Sequence, residues 1–402
     1  MVSSTKTNTS DISHVEQKLS VQCRNFAEDS IAIRSLDWDR SRFDIEFGLR
    51  NGTTYNSFII KGKKIAIIDT SHSKFESLWL DNLMQQVNPK EISYLISSHT
   101  EPDHSGLISD LLDLNPEITI VGSKIALKFI EDQIHRPFKR LEVKSGEFLD
   151  LGTNSESGIN HNIEFISAPN LHWPDTIFSF DHGTKVLYTC DAFGLHYCSN
   201  DLFDSNQKEI FKDFRFYYDC LMGPNARSVI QAIKKIDKLP SVKSIAVGHG
   251  PILQNHVEFW KNKYSEWSNN KNKGNEYVAV CYISDYGFCD RLSQALSHGI
   301  GKADAQVQLI DLRSSDQQEL TALITEAKAV VIPTWPINSD VDLQESIGTL
   351  FAALKPKQFT ATYDSFGGND EPIDSLANKL RELKQKEALS PLRVKESPNP
   401  II

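Results

Sequence analysis

Within the ten residues SSHTEPDHSG, positions 97 to 106, two imidazoles and two carboxylates fall at His99, Glu101, Asp103 and His104. Imidazole nitrogen suits zinc, copper and iron, while carboxylate oxygen suits harder ions, so such a density of lone-pair donors points to metal chemistry. The spacing i, i+2, i+4, i+5 behind a strand end lets one loop aim four side chains at a small volume. A histidine pair beside acids is also common in solvated loops, so a metal site needs ligands from elsewhere in the chain. Three candidates stand at strand ends or loop starts: His172 in APNLHWPDT, Asp191 in LYTCDAFG and His249 in VGHGP. Each alone reads as a surface or hydrogen-bonded residue. Together, four histidines and three carboxylates suit two metals that share one carboxylate bridge and keep an open position on each ion.

The elements that must position these residues follow from the hydrophobic pattern. ISYLISS, apolar and β-branched, reads as a strand that delivers the first cluster at its C-terminal end, where open α/β sheets present their chemistry. Before it come the strands TTYNSFIIKG and KKIAIIDTS and an amphipathic helix from Ser73 to about Val87. After it come a helix from Ser105 to Leu114, the strand EITIVGS, a helix with Ile125 and Phe129 on one face, and the strands IEFISAPN, KVLYTC and SIAVGHG. Residues 1–29 are polar and Ser/Thr-rich and read as a mobile lead-in. Residues 30–268 form a first domain, closed by the amphipathic helix VEFWKNKYSEWS, and 269–275, within the polar run NNKNKGNE, form a linker. From Glu276 the pattern becomes regular: strands YVAVCYI, AQVQLIDL, AVVIPT, QFTATY and a weak LRVK alternate with helices near 288–299, 316–327, 341–354 and 372–386. That alternation predicts a doubly wound parallel sheet over 276–402. The closing SPNPII is not helical, so a last covering helix is expected to be missing.

Bulk properties exclude several partners. A net charge of −10 with no Lys/Arg stripe beyond pairs such as Lys234-Lys235 argues against nucleic acid. No window approaches the roughly 20 apolar residues of a membrane span. Six cysteines without a CxxC pair suggest neither a zinc ribbon nor a disulfide framework and fit a reducing cytoplasm.

The combined motif HxExDH, LHWPDT, CDAFG and GHGP resembles the flavodiiron proteins, a branch of the metallo-β-lactamase fold. The flanks RSLDWDRSRFDIEFGLRNGTTYNSF, HRPF and YYDCLMGPNARSV resemble the diflavin flavoproteins of oxygenic phototrophs. The resemblance implies an N-terminal metallo-β-lactamase-like αββα domain followed by a flavodoxin-like domain. It implies one iron held by His99, Glu101 and His172, a second by Asp103, His104 and His249, and Asp191 as the bridge. Zinc hydrolases of this fold carry histidine at the Glu101 position. A carboxylate there adds negative charge and hard oxygen donation, which favours iron and its ferric state.

The resemblance also implies FMN as the electron source, on three loops of the second domain. The first is Ser284, Asp285, Tyr286, Gly287, Phe288 and Cys289, where loop amides at a helix N-terminus suit a phosphate. The others carry Pro333, Thr334, Trp335 and Asn338, and Ser365, Phe366, Gly367 and Gly368. Cys289 replaces a usual hydroxyl, and Asp285 and Asp290 bring negative charge near the phosphate. The implied reaction is reduction of dioxygen to water, with nitric oxide as a rival substrate of the same site. A head-to-tail homodimer, or a hetero-oligomer with a paralogue, is implied to bring flavin and iron together. No flavin reductase module is expected in this chain, so electrons would arrive from a donor protein or a reductase rather than directly from NAD(P)H. Two other readings compete: a zinc hydrolase, opposed by Glu101 and the second domain, and a truncated subunit that tunes a full-length paralogue. Trp173 is weighed as a wall of the oxygen pocket, and His196 and Tyr197 as proton donors. His72, His161 and His182 read as solvated loop residues, and Cys190 as a core residue.

Overall fold

Ser30–Asp37 (β2) and Thr53–Lys61 (β3) are buried along almost their whole length, with no alternation of inside and outside. Strands read this way only when both faces of their sheet are covered. The computed structural model describes residues 19–43, 47–271, 276–283, 289–303, 305–313, 317–335, 341–364 and 371–394. In it, β2 and β3 lie inside a seven-stranded sheet that runs from Leu19–Ala27 (β1) through β2, β3, Ile65–Ile68 (β4), Ile92–Ile96 (β5) and Thr119–Gly122 (β6) to Lys139–Glu142 (β7). A second sheet takes Phe148–Thr153 (β8), Asn160–Ser167 (β9), Ile177–Asp181 (β10), Val186–Cys190 (β11) and Ser244–Val247 (β12) in that order.

Three apolar layers glue this unit. Outside the first sheet, Trp79 and Leu83 of Glu76–Gln86 (α1) pack with Leu111 of Ile108–Leu114 (α3) and Ile130 of Lys124–Ile134 (α4). Between the sheets lie Phe58, Ile96, Phe165, Tyr188 and Ala246. Outside the second sheet, Phe214 of Gln207–Tyr217 (α5), Ile233 of Ala226–Ile236 (α6) and Trp260, Tyr264 and Trp267 of Val257–Lys271 (α7) complete an αββα sandwich.

The second domain places Tyr277–Tyr282 (β13), Gln306–Asp311 (β14), Ala329–Pro333 (β15) and Phe359–Asp364 (β16) in the parallel order β14-β13-β15-β16. Two short strands, Lys386–Glu387 (β17) and Leu392–Arg393 (β18), both pair with β16. With the helices Cys289–Lys302 (α8), Gln317–Glu326 (α9), Val341–Ala353 (α10) and Glu371–Glu382 (α11), this is the flavodoxin-like winding. Among the described residues, no helix is long and apolar enough to cross a membrane.

Several expectations are corrected. Leu19–Ala27 is not a mobile lead-in but pairs antiparallel with β2 over nearly its full length; its half-exposed pattern is that of an edge strand, which composition alone does not separate from a tail. The linker does not begin at 269, because α7 continues to Lys271; 272–275 lie outside the described residues, as do 1–18 and 395–402 with the expected helix-free terminus. The Ser105–Leu114 helix starts earlier and breaks in two, with Pro102 opening a short turn, Pro102–Ser105 (α2), that carries Asp103 and His104. The last helix stops at Glu382 rather than 386, and β17 follows it.

His161 is a buried strand residue held between Asp181 at 2.8 Å and Asp29 at 3.2 Å, not a solvated loop residue. His182 is half-buried and meets Glu164 at 2.7 Å, and His72 caps the turn Ser73–Phe75 by accepting from the Lys74 amide. Cys190 is buried at the end of β11, as expected.

Candidate metal centre

All seven candidate ligands sit at one rim of the sandwich, and both sheets contribute. His99 and Glu101 follow β5, and α2 adds Asp103 and His104; Asp191 and His249 follow β11 and β12, and His172 comes from the loop between β9 and β10. The approach of these ends is close. A Cβ added at Gly248 would lie 2.7 Å from His104 Cε1 and 3.1 Å from the Cys190 carbonyl carbon, so only glycine lets β12 end there.

The side chains form two groups around Asp191. On one side, His172 Nε2 lies 3.0 Å from Glu101 Oε2, while the Nε2 atoms of His99 and His172 each lie 3.5 Å from Asp191 Oδ2. On the other, the Nε2 atoms of His104 and His249 lie 3.3 and 3.2 Å from Asp191 Oδ1, and 3.5 and 3.4 Å from the two Asp103 oxygens. The two Asp191 oxygens therefore face separate groups, His99–Glu101–His172 and Asp103–His104–His249. Most of the shell is sealed. Glu101 and His172, with side chains 15% and 9% exposed, mark its most open side.

The histidines are oriented from outside. His99 Nδ1 donates to Asp175 Oδ1 at 3.0 Å, and the other Asp175 oxygen accepts from the Thr100 amide and hydroxyl, both at 2.7 Å. His249 Nδ1 donates to the Thr54 carbonyl at 2.6 Å. Both bonds leave Nε2 as the inward lone pair, the arrangement usual for metal-bound imidazole. The Tyr217 hydroxyl donates to Asp191 Oδ1 at 2.8 Å. Burial first, and then Asp191, push that phenol well up, so it remains a donor.

The charge balance asks for cations. Burial alone would raise the Glu101 and Asp191 carboxyls, yet the histidines facing them outweigh it and hold both below the usual range. In turn His99, His104 and His172 are raised against their own burial by the carboxylates, His104 to about 10. Even so, His99 Nε2, His249 Nε2, both Asp103 oxygens and Asp191 Oδ2 have no hydrogen-bond partner. A buried unpaired polar atom costs about 1–3 kcal/mol, so a set of them aimed at common points has the donor geometry of a metal-binding shell. Two divalent ions with mixed nitrogen and oxygen donors fit it.

Three neighbours define the surroundings. Trp173 stands edge-on to the His99 ring, 4.9 Å between centroids. His196 Nδ1 meets Thr53 Oγ1 at 2.8 Å, and its ring packs 4.8 Å from that of His249; burial first, then the neighbouring His249, push it well below its ordinary value. His196 and Tyr217 line a cavity of about 290 Å³ with Arg50, Lys212 and Phe216. Tyr197 points elsewhere and bonds Glu209.

Of the flavin-loop candidates, Ser284, Asp285, Tyr286, Gly287, Phe288, Asn338, Ser365, Phe366, Gly367 and Gly368 lie outside the described residues, as does the side chain of Cys289 at the start of α8. Pro333 ends β15. Thr334 is buried and donates to Asp364 Oδ1 at 3.0 Å, and the half-buried Trp335 meets Phe351 edge-on at 5.9 Å. Asp175, Thr54 and the Tyr217 contact carry no signal of their role in the sequence. Asp175 stood in the quoted LHWPDT and Tyr217 in YYDCLMG, but residues that act by orienting a ligand carry no spacing rule of their own.

A family model described as "ODP family beta lactamase" matches residues 53–250. The chain is 52% identical over 384 residues to putative diflavin flavoprotein A 3 of Nostoc sp. PCC 7120, covering 95% of this chain and 66% of that protein. It is 47% identical over 398 residues to putative diflavin flavoprotein A 2 of the same organism, covering 99% and 68%. The chain thus spans about two thirds of the length of the curated relatives it matches. Among solved structures it superimposes on the metal-soaked Flv1 flavodiiron core from Synechocystis sp. PCC6803 with a TM-score of 0.79 and 30% identity, over 95% of this chain and 94% of that one. On this likeness through both domains, the chain belongs to the diflavin flavoprotein A group of the flavodiiron proteins.

Proposed function

We propose that this chain is the core of a flavodiiron oxidoreductase in which FMN on the second domain passes electrons to two irons at the sandwich rim, and dioxygen is reduced to water. The observation that carries the reading is the shell around Asp191: two groups of three ligands, one carboxylate facing both, and a glutamate in the first group. Bound there, a pair of ferrous ions would supply two electrons together to a gas molecule.

The chain's own residues set the conditions for that chemistry. Asp175 and the Thr54 carbonyl hold the His99 and His249 rings so that Nε2 faces inward. Three carboxylates lend the centre the negative charge that favours ferric iron, whereas an all-histidine group would suit zinc. Trp173 stands against the His99 ring, and Glu101 and His172 form the least buried side of the shell, the side from which a small molecule would approach. Tyr217 holds a proton at its hydroxyl between Asp191 and the cavity, and His196 lines the same cavity.

The flavin reading is supported by the 2-1-3-4-5 strand order of the second domain and by its membership of a diflavin group. Electron delivery by a separate donor or reductase and pairing of chains head to tail belong to the same proposal and come from the family resemblance, and residence in the cytoplasm belongs to it on cysteine usage. Iron and flavin analysis together with oxygen uptake by the reduced protein tests it: two irons, one FMN and oxygen consumption are expected, and zinc alone with no uptake would overturn it. Turnover with nitric oxide in parallel ranks the two gases; faster nitric oxide reduction would reassign the substrate and leave the site standing.

A further inference from the structure

The loop that carries His172 is clamped at its base and gripped at its tip by different domains. At the base, Ala168 N–H donates to the Thr176 carbonyl at 3.0 Å, and Oγ of Ser123, the N-cap of α4, donates to the Asp175 carbonyl at 2.9 Å. At the tip, Asn170 adopts a left-handed conformation, φ +64°, and its N–H donates to the Trp173 carbonyl at 2.8 Å, which folds the chain tightly around His172. Asn170 is 7% exposed, and both ends of its side-chain amide are bonded. Its Oδ1 accepts from the hydroxyl of Tyr282 at 2.9 Å, and its Nδ2 donates to the Leu309 carbonyl at 3.2 Å. Tyr282 is the last residue of β13 and Leu309 lies in the edge strand β14, so both partners belong to the flavodoxin-like domain.

The geometry points to Asn170 and Tyr282 as positioning residues, through which the flavodoxin-like domain sets the place of His172 in the metal centre. His172 lies on no strand or helix, and its 3.0 Å approach to Glu101 depends on where the tight turn is held. Asparagine tolerates the left-handed region and, here, uses both ends of its amide to tie that turn to a rigid sheet edge. The tie costs the loop its freedom and gives His172 one position. Such support outside the ligands is worth tenfold to a hundredfold in metal affinity when it contacts a ligand directly, so one step further out a smaller effect is expected.

The inference rests on the metal reading of the site, and the experiment separates the two. Asn170→Gly keeps the left-handed backbone and removes both bonds; Tyr282→Phe removes a single hydroxyl. The full chain, stripped of metal, is titrated with cobalt(II) alone while its visible spectrum is recorded, and hydrogen exchange is followed over 168–176. Each single variant is expected to weaken cobalt binding roughly threefold to tenfold and to shift the spectrum. Exchange in the loop should rise, and the double variant should be little worse than the worse single, because the residues act through one bond. Unchanged affinity, spectrum and loop exchange in folded Tyr282→Phe would overturn the inference even if Asn170→Gly failed to fold. If the unaltered chain binds no cobalt, the metal reading fails instead, and loop exchange alone still decides whether the tie holds the His172 turn.

Discussion

At the scale of single residues, the centre depends on partners that never touch a metal. Asp175 is buried, bonds His99 and spends its second oxygen on Thr100, so its position is fixed independently of any ion. Asp175→Asn keeps the shape but replaces one acceptor with a donor, and the amide then competes for the tautomer of His99. A loss of about tenfold to a hundredfold in metal affinity is expected, read by titrating metal into the stripped protein; an unchanged constant would assign Asp175 to packing alone. The seven candidate ligands were legible in the sequence because lone-pair donors of two kinds recur at strand ends in one order. Asp175, Asn170 and the Thr54 carbonyl were not. Their work depends on which loop lies beside which, and the carbonyl of a threonine looks like any other.

At the scale of elements, strands β9 and β10 carry a different polar cluster at each end. One end opens into the His172 loop; at the other, His161 on β9 bridges Asp181 of β10 and Asp29 of the β1–β2 turn. Against its burial, His161 is raised by Asp181 and Asp29, and Asp181 is lowered against its own burial by His161 and Thr184. The histidine's contribution is full below its ordinary value of 6.5 and fades as pH rises through the raised one; the aspartate's is full above 3.8 and fades as pH falls through the lowered one. The cluster therefore stabilises most between about pH 4 and 6.5. His161→Gln should cost roughly 1–3 kcal/mol at pH 5.5 and clearly less at pH 9, measured by urea unfolding at both values. A pH-independent loss would mean the cluster acts by shape. In sequence the strand reads from Ile163, which leaves His161 in the loop before it, and only the pairing of β9 with β8 and β10 shows that the strand starts at Asn160. β1 was missed for a related reason: an edge strand that hides one face weakly has the composition of a tail. The alternating second domain was read almost strand for strand, since parallel strands buried on both sides stand out as apolar runs.

At the scale of the whole molecule, the centre joins two sheets that also meet through an apolar layer and through polar contacts such as His161 with Asp29 and Asn56 with Val247. Filling it with metal should stabilise the native chain by linkage, about 2.7 kcal/mol when free metal stands at 100 times its dissociation constant. Calorimetry of stripped and reloaded protein should show the sandwich melting higher with metal; identical curves would mean the ions bind folded and unfolded chain alike. The ligands come from distant parts of the chain, from His99 to His249, and from opposite sheets. A loaded centre is thus a removable cross-link, and the entropy it takes from the unfolded chain grows with the logarithm of the loop it closes. Loss of metal from such a centre would then amount to unclasping one rim of the sandwich, read in how readily that rim breathes.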